Sequence, residues 1–208
     1  EFFLMHNTKA VVIACNTASA VAYQELRNIY DIPLFDVVVP SVLHSNNISK
    51  TRKIGVIGTY STIFSRAYTQ SFSDLESDCS VVEIACPLFV PLIEEGWSHT
   101  RIAREIAHSY LEPFQKMAID TLILGCTHYP IMVKTIQVAM ASHVQLVYSG
   151  ETVGRKLLSY LQKHNYENIS GSPSETRFYV TDLPQKFDEI GSLFLGRKME
   201  HVEHISLI

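Results

Sequence analysis

Two segments of the chain, VVIACNTASA around Cys15 and LILGCTHYP around Cys126, follow one pattern: a run of branched apolar residues, a small residue, a cysteine, and at once Asn, Thr or His. A strand buried on both faces of a parallel sheet reads as such a continuous apolar run. Polar residues straight after it start a helix, so each thiol is expected in a strand-to-helix turn. Ligands of open α/β sheets bind at the carboxyl ends of their strands. The pattern therefore fixes an architecture and puts both thiols where chemistry is done.

The rest of the chain reads in the same alternation. Strands are expected over Ala10 to Ala14, Leu34 to Val39, Lys53 to Gly58, Ser80 to Ala85, Thr121 to Gly125, Val144 to Tyr148 and Arg177 to Thr181, with a further edge strand in the last residues. Helices are expected over Thr17 to Tyr30, from Thr59 to about Leu75, over His99 to Met117 with Pro113 bending or ending it, from Pro130 to about Ala141, from Gly150 to about Asn165, and over Gln185 to Leu195. Pro40 and the polar stretch Ser45 to Arg52 punctuate the chain, and CPLFVPLIEEG reads as a proline-bounded loop. The fold class is α/β with parallel sheets.

Composition narrows the chemistry. A formal charge of -4 with no Lys/Arg cluster excludes a phosphate-binding nucleic-acid surface. No stretch is apolar enough to span a membrane, and the opening residues do not follow the order of a signal peptide, so a cytoplasmic protein acting on a small molecule is expected. Cys15, Cys79, Cys86 and Cys126 form no CxxC pair, which points to reduced thiols and away from disulfide, zinc or thiol-disulfide exchange chemistry. His201 and His204 have no third ligand in view, so no metal is expected. The chain begins with Glu1, and Phe2 to Leu4 read as the tail of an apolar element already under way, so a fragment missing its start is expected.

One cysteine after a buried strand is most often a small core residue. Two in matching polar turns outweigh that reading, whereas Cys79 and Cys86 lack the context and are taken as structural. A helix N-terminus lowers a thiol pKa from its ordinary value of about 8.5, and both cysteines are expected to feel it. If the two sulfurs face each other across a cleft, one is base and the other acid. A carbon held between them loses its proton on one face and gains one on the other, which is a two-base inversion. Asn16, Thr17, Thr127 and His128 supply the hydrogen-bond donors that the developing negative charge requires. His128 also stands close enough in sequence to tune Cys126, and Glu94 and Glu95 read as solvated helix-cap charges.

ACNTAS and GCTHYP, in this order, resemble the two signature motifs of the glutamate racemases of the aspartate/glutamate racemase superfamily, and CPLFVPLIEEG and GTYSTI are similar to further family segments. The resemblance covers nearly the whole chain. It implies two pseudo-symmetric, doubly wound parallel-sheet domains with the active site in the cleft between them: residues 1–39 plus 149–208 in one, and an inserted domain over 40–148. It implies cofactor-independent interconversion of L- and D-glutamate for peptidoglycan synthesis. Cys15 would work on the D-enantiomer's α-proton and Cys126 on the L-enantiomer's. Asn16, Thr17, Thr127 and His128 would bind substrate, with Thr59, Thr62 and Glu94 lining the pocket. No cofactor or metal is implied, and a homodimer is one open assembly. Family members begin with a strand and a glycine-rich turn bearing an Asp-Ser pair, and then a Pro-Tyr-Gly turn, before the first cysteine segment. The sequence here starts after them, and impaired activity is expected of it. The alternatives are a relative acting on aspartate or a hydantoin, and a truncated non-catalytic binding protein of the same fold.

Overall fold

The computed structural model describes residues 2–172 and 174–206. In chain order they form α1 (Phe2–Met5), β1 (Val11–Val12), α2 (Asn16–Ile29), β2 (Leu34–Phe35), α3 (Val38–Ile48), β3 (Lys53–Gly58), α4 (Tyr60–Phe64), α5 (Ala67–Asp74), β4 (Ser80–Ala85) and α6 (Phe89–Glu94). Then come α7 (Arg101–Met117), β5 (Thr121–Gly125), a 3₁₀ turn (Tyr129–Met132), α8 (Val133–Ala139), β6 (Gln145–Tyr148), α9 (Ser149–Lys163), β7 (Phe178–Val180), α10 (Pro184–Leu195) and β8 (Val202–His204). The chain is α/β, and every strand pairing is parallel among the described residues. None of these helices is long and apolar enough to cross a membrane.

Two compact units emerge, residues 9–164 and residues 2–8 with 165–206. The first holds the paired strands β1 and β2 and a four-stranded sheet in the order β4-β3-β5-β6. Strands β3 and β5 lie at its centre, and from Ile54 to Gly58 and Thr121 to Gly125 every residue is buried. That burial explains their unbroken apolar runs, since helices cover both faces. Side chains alternate between those faces. Ile57, Leu122 and Leu124 enter a core with Phe89, Leu111, Phe114 and Tyr129 of α6, α7 and the 3₁₀ turn. Ile54, Val56, Ile123 and Val147 enter another with Val38, Val42, Tyr68 and Phe72 of α3 and α5. A smaller cluster joins Phe35 and Val37 to Val153 of α9.

At the start of the sheet the Asp120 carboxylate ties down the entry to β3. It accepts from the Ser49 hydroxyl (2.7 Å) and from the backbone N–H groups of Lys50 (2.6 Å) and Thr51 (2.7 Å). Burial pushes its pKa up, but these donors and the Thr121 hydroxyl outweigh burial and hold it down at about 2.

The second unit is a β7-α10-β8 crossover with parallel pairing, against which Phe2 of α1 sets its ring edge-on to Tyr179 at 5.0 Å. The edge strand expected in the last residues is β8, and residues 207–208 lie outside the described residues.

Several expected boundaries move, each for a local reason. The strand expected over Leu34 to Val39 stops at Phe35, because Asp36 Oδ1 accepts from the N–H groups of Val38 (2.8 Å) and Val39 (2.7 Å) and starts α3. Pro40 is the third residue of that helix and not a break, and Pro91 is the third residue of α6, which replaces the expected loop. First-turn N–H groups have no intrahelical acceptor, so a proline there forfeits nothing. Pro113 does not end α7, which runs on to Met117. The single helix expected from Thr59 to Leu75 is two, broken where Arg66 takes a left-handed φ of 58°.

Candidate active site

The sheet order makes the site. Chain direction across the sheet reverses between β3 and β5, which is where α/β sheets open a crevice at their carboxyl ends. The residue after β3 is Thr59 and the residue after β5 is Cys126. Gly125 lets Cys126 come this close. A Cβ there would lie 2.6 Å from the Ile57 carbonyl oxygen, so only glycine allows the strands to pair in register up to their last residues.

Cys15 is the N-cap of α2 and is exposed, while Cys126 is buried at 7% exposure. Burial pushes the Cys126 thiol up, and charge on Cys15 adds to it. Together they outweigh the backbone N–H groups of His128 and Tyr129 and the Thr127 hydroxyl, and the pKa reaches about 11. The expectation that a helix N-terminus lowers this thiol is therefore corrected: the chain leaves Cys126 into a four-residue 3₁₀ turn, whose few N–H groups do not offset desolvation.

The polar residues singled out in the sequence fall into three groups. Thr17, Thr59 and Thr62 form a triangle of hydroxyls, with oxygen separations of 2.9 Å (Thr17 to Thr59) and 3.1 Å (Thr17 to Thr62, and Thr59 to Thr62). Thr59 also caps α4, accepting from the Thr62 N–H at 3.3 Å. On the other side His128 Nδ1 lies 3.9 Å from Cys126 Sγ and 3.4 Å from the Thr127 hydroxyl, and its Nε2 lies 3.4 Å from Glu94 Oε1. Glu94 is thus the partner of His128 rather than a solvated cap charge. Asn16, 1% exposed, lies between Ser149 and Tyr68: its Nδ2 donates to Ser149 Oγ (3.1 Å), and its Oδ1 accepts from the Tyr68 hydroxyl (2.7 Å).

Tyr68 and Ser149 were not visible as site residues in the sequence. Ser149 carried a usable signal, since it directly follows β6 as Cys126 follows β5. Tyr68 carried none: it lies inside α5, and its phenol reaches the site only through packing. Cys79 lies against Asn46, whereas Cys86 directly follows β4 and its carbonyl accepts from the Tyr129 hydroxyl at 3.2 Å, in the same core as Cys126. Cys86 is fully buried in the core beside Phe89, and burial pushes its thiol up.

The raised Cys126 pKa has a direct test. A thiol titrating near 11 is ionised in only about one molecule in a thousand at pH 8, and only the thiolate attacks iodoacetamide. Alkylation of Cys126, read by peptide mass spectrometry, is expected to rise about tenfold per pH unit from 7 to 10. A rate already level by pH 8 would contradict the desolvated thiol.

The chain as a whole is similar to known proteins. The family described as Asp/Glu/Hydantoin racemase matches residues 4–153. The glutamate racemase of Syntrophus aciditrophicus is 39% identical over 207 residues, covering 100% of this chain and 77% of the relative. Among solved structures, a glutamate racemase isoform from Bacillus anthracis superposes with a TM-score of 0.93 at 32% identity, over 99% of this chain and 77% of that one. The Francisella tularensis glutamate racemase, solved in complex with D-glutamate, gives 0.90 at 37% identity, over 99% of this chain and 76% of that one. With a family match over most of its length and relatives of this similarity, the chain belongs to the Asp/Glu/Hydantoin racemase family.

Proposed function

We propose that the chain is a glutamate racemase that interconverts L- and D-glutamate with two cysteines and no cofactor, supplying D-glutamate for peptidoglycan synthesis. The observation that carries this reading is the pair of thiol-bearing turns joined side by side through Asn16 and Tyr68, one sulfur exposed at a helix start and the other desolvated. The α-carbon sits between the sulfurs. One takes its proton as thiolate while the other, as thiol, donates to the opposite face. The Cys126 thiol is well suited to the acid role in the resting state, and His128, backed by Glu94, is placed to carry a proton to and from it. Charge developing on the substrate carboxylate is met by Asn16, Thr17 and Thr127, with Thr59 and Thr62 supporting Thr17.

The division into residues 1–39 with 149–208 and an inserted 40–148 belongs to the same proposal. It follows the family resemblance, whereas the compact units, residues 9–164 and residues 2–8 with 165–206, divide the chain at other points. A cytoplasmic location, read from the sequence, and a homodimer belong to the same proposal.

The test is incubation with D-glutamate in deuterated water without pyridoxal phosphate or metal, and then chiral chromatography and mass spectrometry. L-glutamate bearing one deuterium at the α-carbon is expected. Product that forms only with added pyridoxal phosphate, or faster turnover of aspartate than of glutamate, would replace this reading.

A further inference from the structure

The hydrogen bonds around Asn16 run in one direction only, and the direction is set at their far end. The Leu124 carbonyl can only accept, so the Ser149 hydroxyl spends its single proton on it (3.4 Å). Ser149 Oγ must then accept from Asn16, which turns the amide nitrogen toward Ser149 and the amide oxygen toward Tyr68. Tyr68 completes the run by donating to that oxygen at 2.7 Å. Its phenol is fully buried, and burial together with the charges of Asp36, Glu83 and Cys126 keeps it protonated, so the donor is present at every working pH. Both ends of the Asn16 amide are thereby pinned, and its second Nδ2 hydrogen is left to offer.

The same phenol lies against Gly125. A Cβ on that glycine would be 3.3 Å from the Tyr68 ring and 3.5 Å from its hydroxyl. Tyr68 therefore touches the residue after Cys15 and the residue before Cys126 in one side chain.

We propose that Tyr68 is a positioning residue for the racemisation: by holding the Asn16 amide oxygen it makes that side chain present an N–H to the substrate, which selects a carboxylate, and it keeps the two thiol-bearing turns in register. The proposal rests on the glutamate racemase reading. Without the phenol hydroxyl the Asn16 amide is held at the Ser149 end alone and its buried oxygen loses its donor, so the orientation that offers an N–H to a carboxylate is less favoured over its flip.

The test compares Tyr68→Phe, Asn16→Ala and the double variant, with thermal unfolding recorded for each. Tyr68→Phe keeps the ring and is expected to raise KM for both enantiomers of glutamate about fivefold to tenfold, with kcat within about twofold, as loss of a binding orientation should. In the Asn16→Ala background the same change is expected to add less than about twofold, because it acts through Asn16. An unchanged KM in Tyr68→Phe, or effects that multiply in full in the double variant, would overturn the proposal. Should Tyr68→Phe fail to fold, Ser149→Ala releases the amide from the other side and is held to the same KM shift and the same coupling to Asn16. Wild-type protein that turns over no glutamate would instead fault the functional reading, whereas an active wild type with a silent Tyr68→Phe faults this inference alone.

Discussion

Cys15→Ala and Cys126→Ala chains are each expected to lose racemisation of L-glutamate and D-glutamate alike, by about a thousandfold or more, since each removes one partner of a general acid–base pair. Neither loss can be confined to one direction. Enantiomers have equal free energy, so the ratio of kcat/KM for the two directions is fixed at unity for any catalyst. What does separate the thiols is isotope exchange. With Cys126 gone, Cys15 is still placed to remove and return a proton on its own face, so D-glutamate is expected to take up solvent deuterium without inverting. With Cys15 gone, the same holds for L-glutamate at Cys126, and slowly at neutral pH because that thiol titrates near 11. Proton NMR of each enantiomer in deuterated water reads both. Racemisation persisting near the wild-type rate in either variant would end the two-thiol mechanism.

A second large effect is expected from a single methyl group. Gly125→Ala places a Cβ 2.6 Å from the Ile57 carbonyl oxygen, a backbone atom held in the β3–β5 ladder, with the Tyr68 ring next at 3.3 Å. Neither neighbour can yield without moving Cys126. Overpacking of this kind costs about 1–3 kcal/mol of stability, and a displaced reacting group costs about a hundredfold in rate. Gly55→Ala is the control. The three atoms nearest its Cβ belong to the side chains of Ile119, Leu122 and Phe114, at 2.7 to 2.9 Å, near the opposite end of β3 from Thr59. It should lower the urea midpoint comparably while leaving kcat/KM of the folded protein within about twofold. If the two variants lost activity in proportion to stability alone, Gly125 would be a packing residue and nothing more.

The parts of this molecule that could be read from its sequence are those whose physics is local. Lys53–Gly58 and Thr121–Gly125 announce themselves because a strand covered on both faces must be apolar throughout, and the turns after them are marked by their change to Thr and Cys. Helix α6 was hidden by its own prolines, since Pro91 reads as a breaker until its place in the first turn is known. The split between α4 and α5 depends on a left-handed Arg66, a conformation that arginine does not advertise. Within the site, Asn16, Thr17, Thr127 and His128 were legible as neighbours of the thiols. The tie from Tyr68 to Asn16 was not, because the two are 52 residues apart and only tertiary packing brings them together. The direction of the Cys126 shift was misread for a similar reason: a turn can be seen in sequence, but the depth of burial that overrides it cannot.

The bond from Asn16 to Ser149 closes a loop of 133 residues, and the Thr17 to Thr59 contact closes one of 42. A chain leaving the ribosome therefore exposes Cys15 long before the side chains that orient its neighbour exist. These contacts cannot form until both of their partners have been made. Activity in this protein should consequently appear only after a lag set by translation of Ser149 and by the slow search that such distant pairings require.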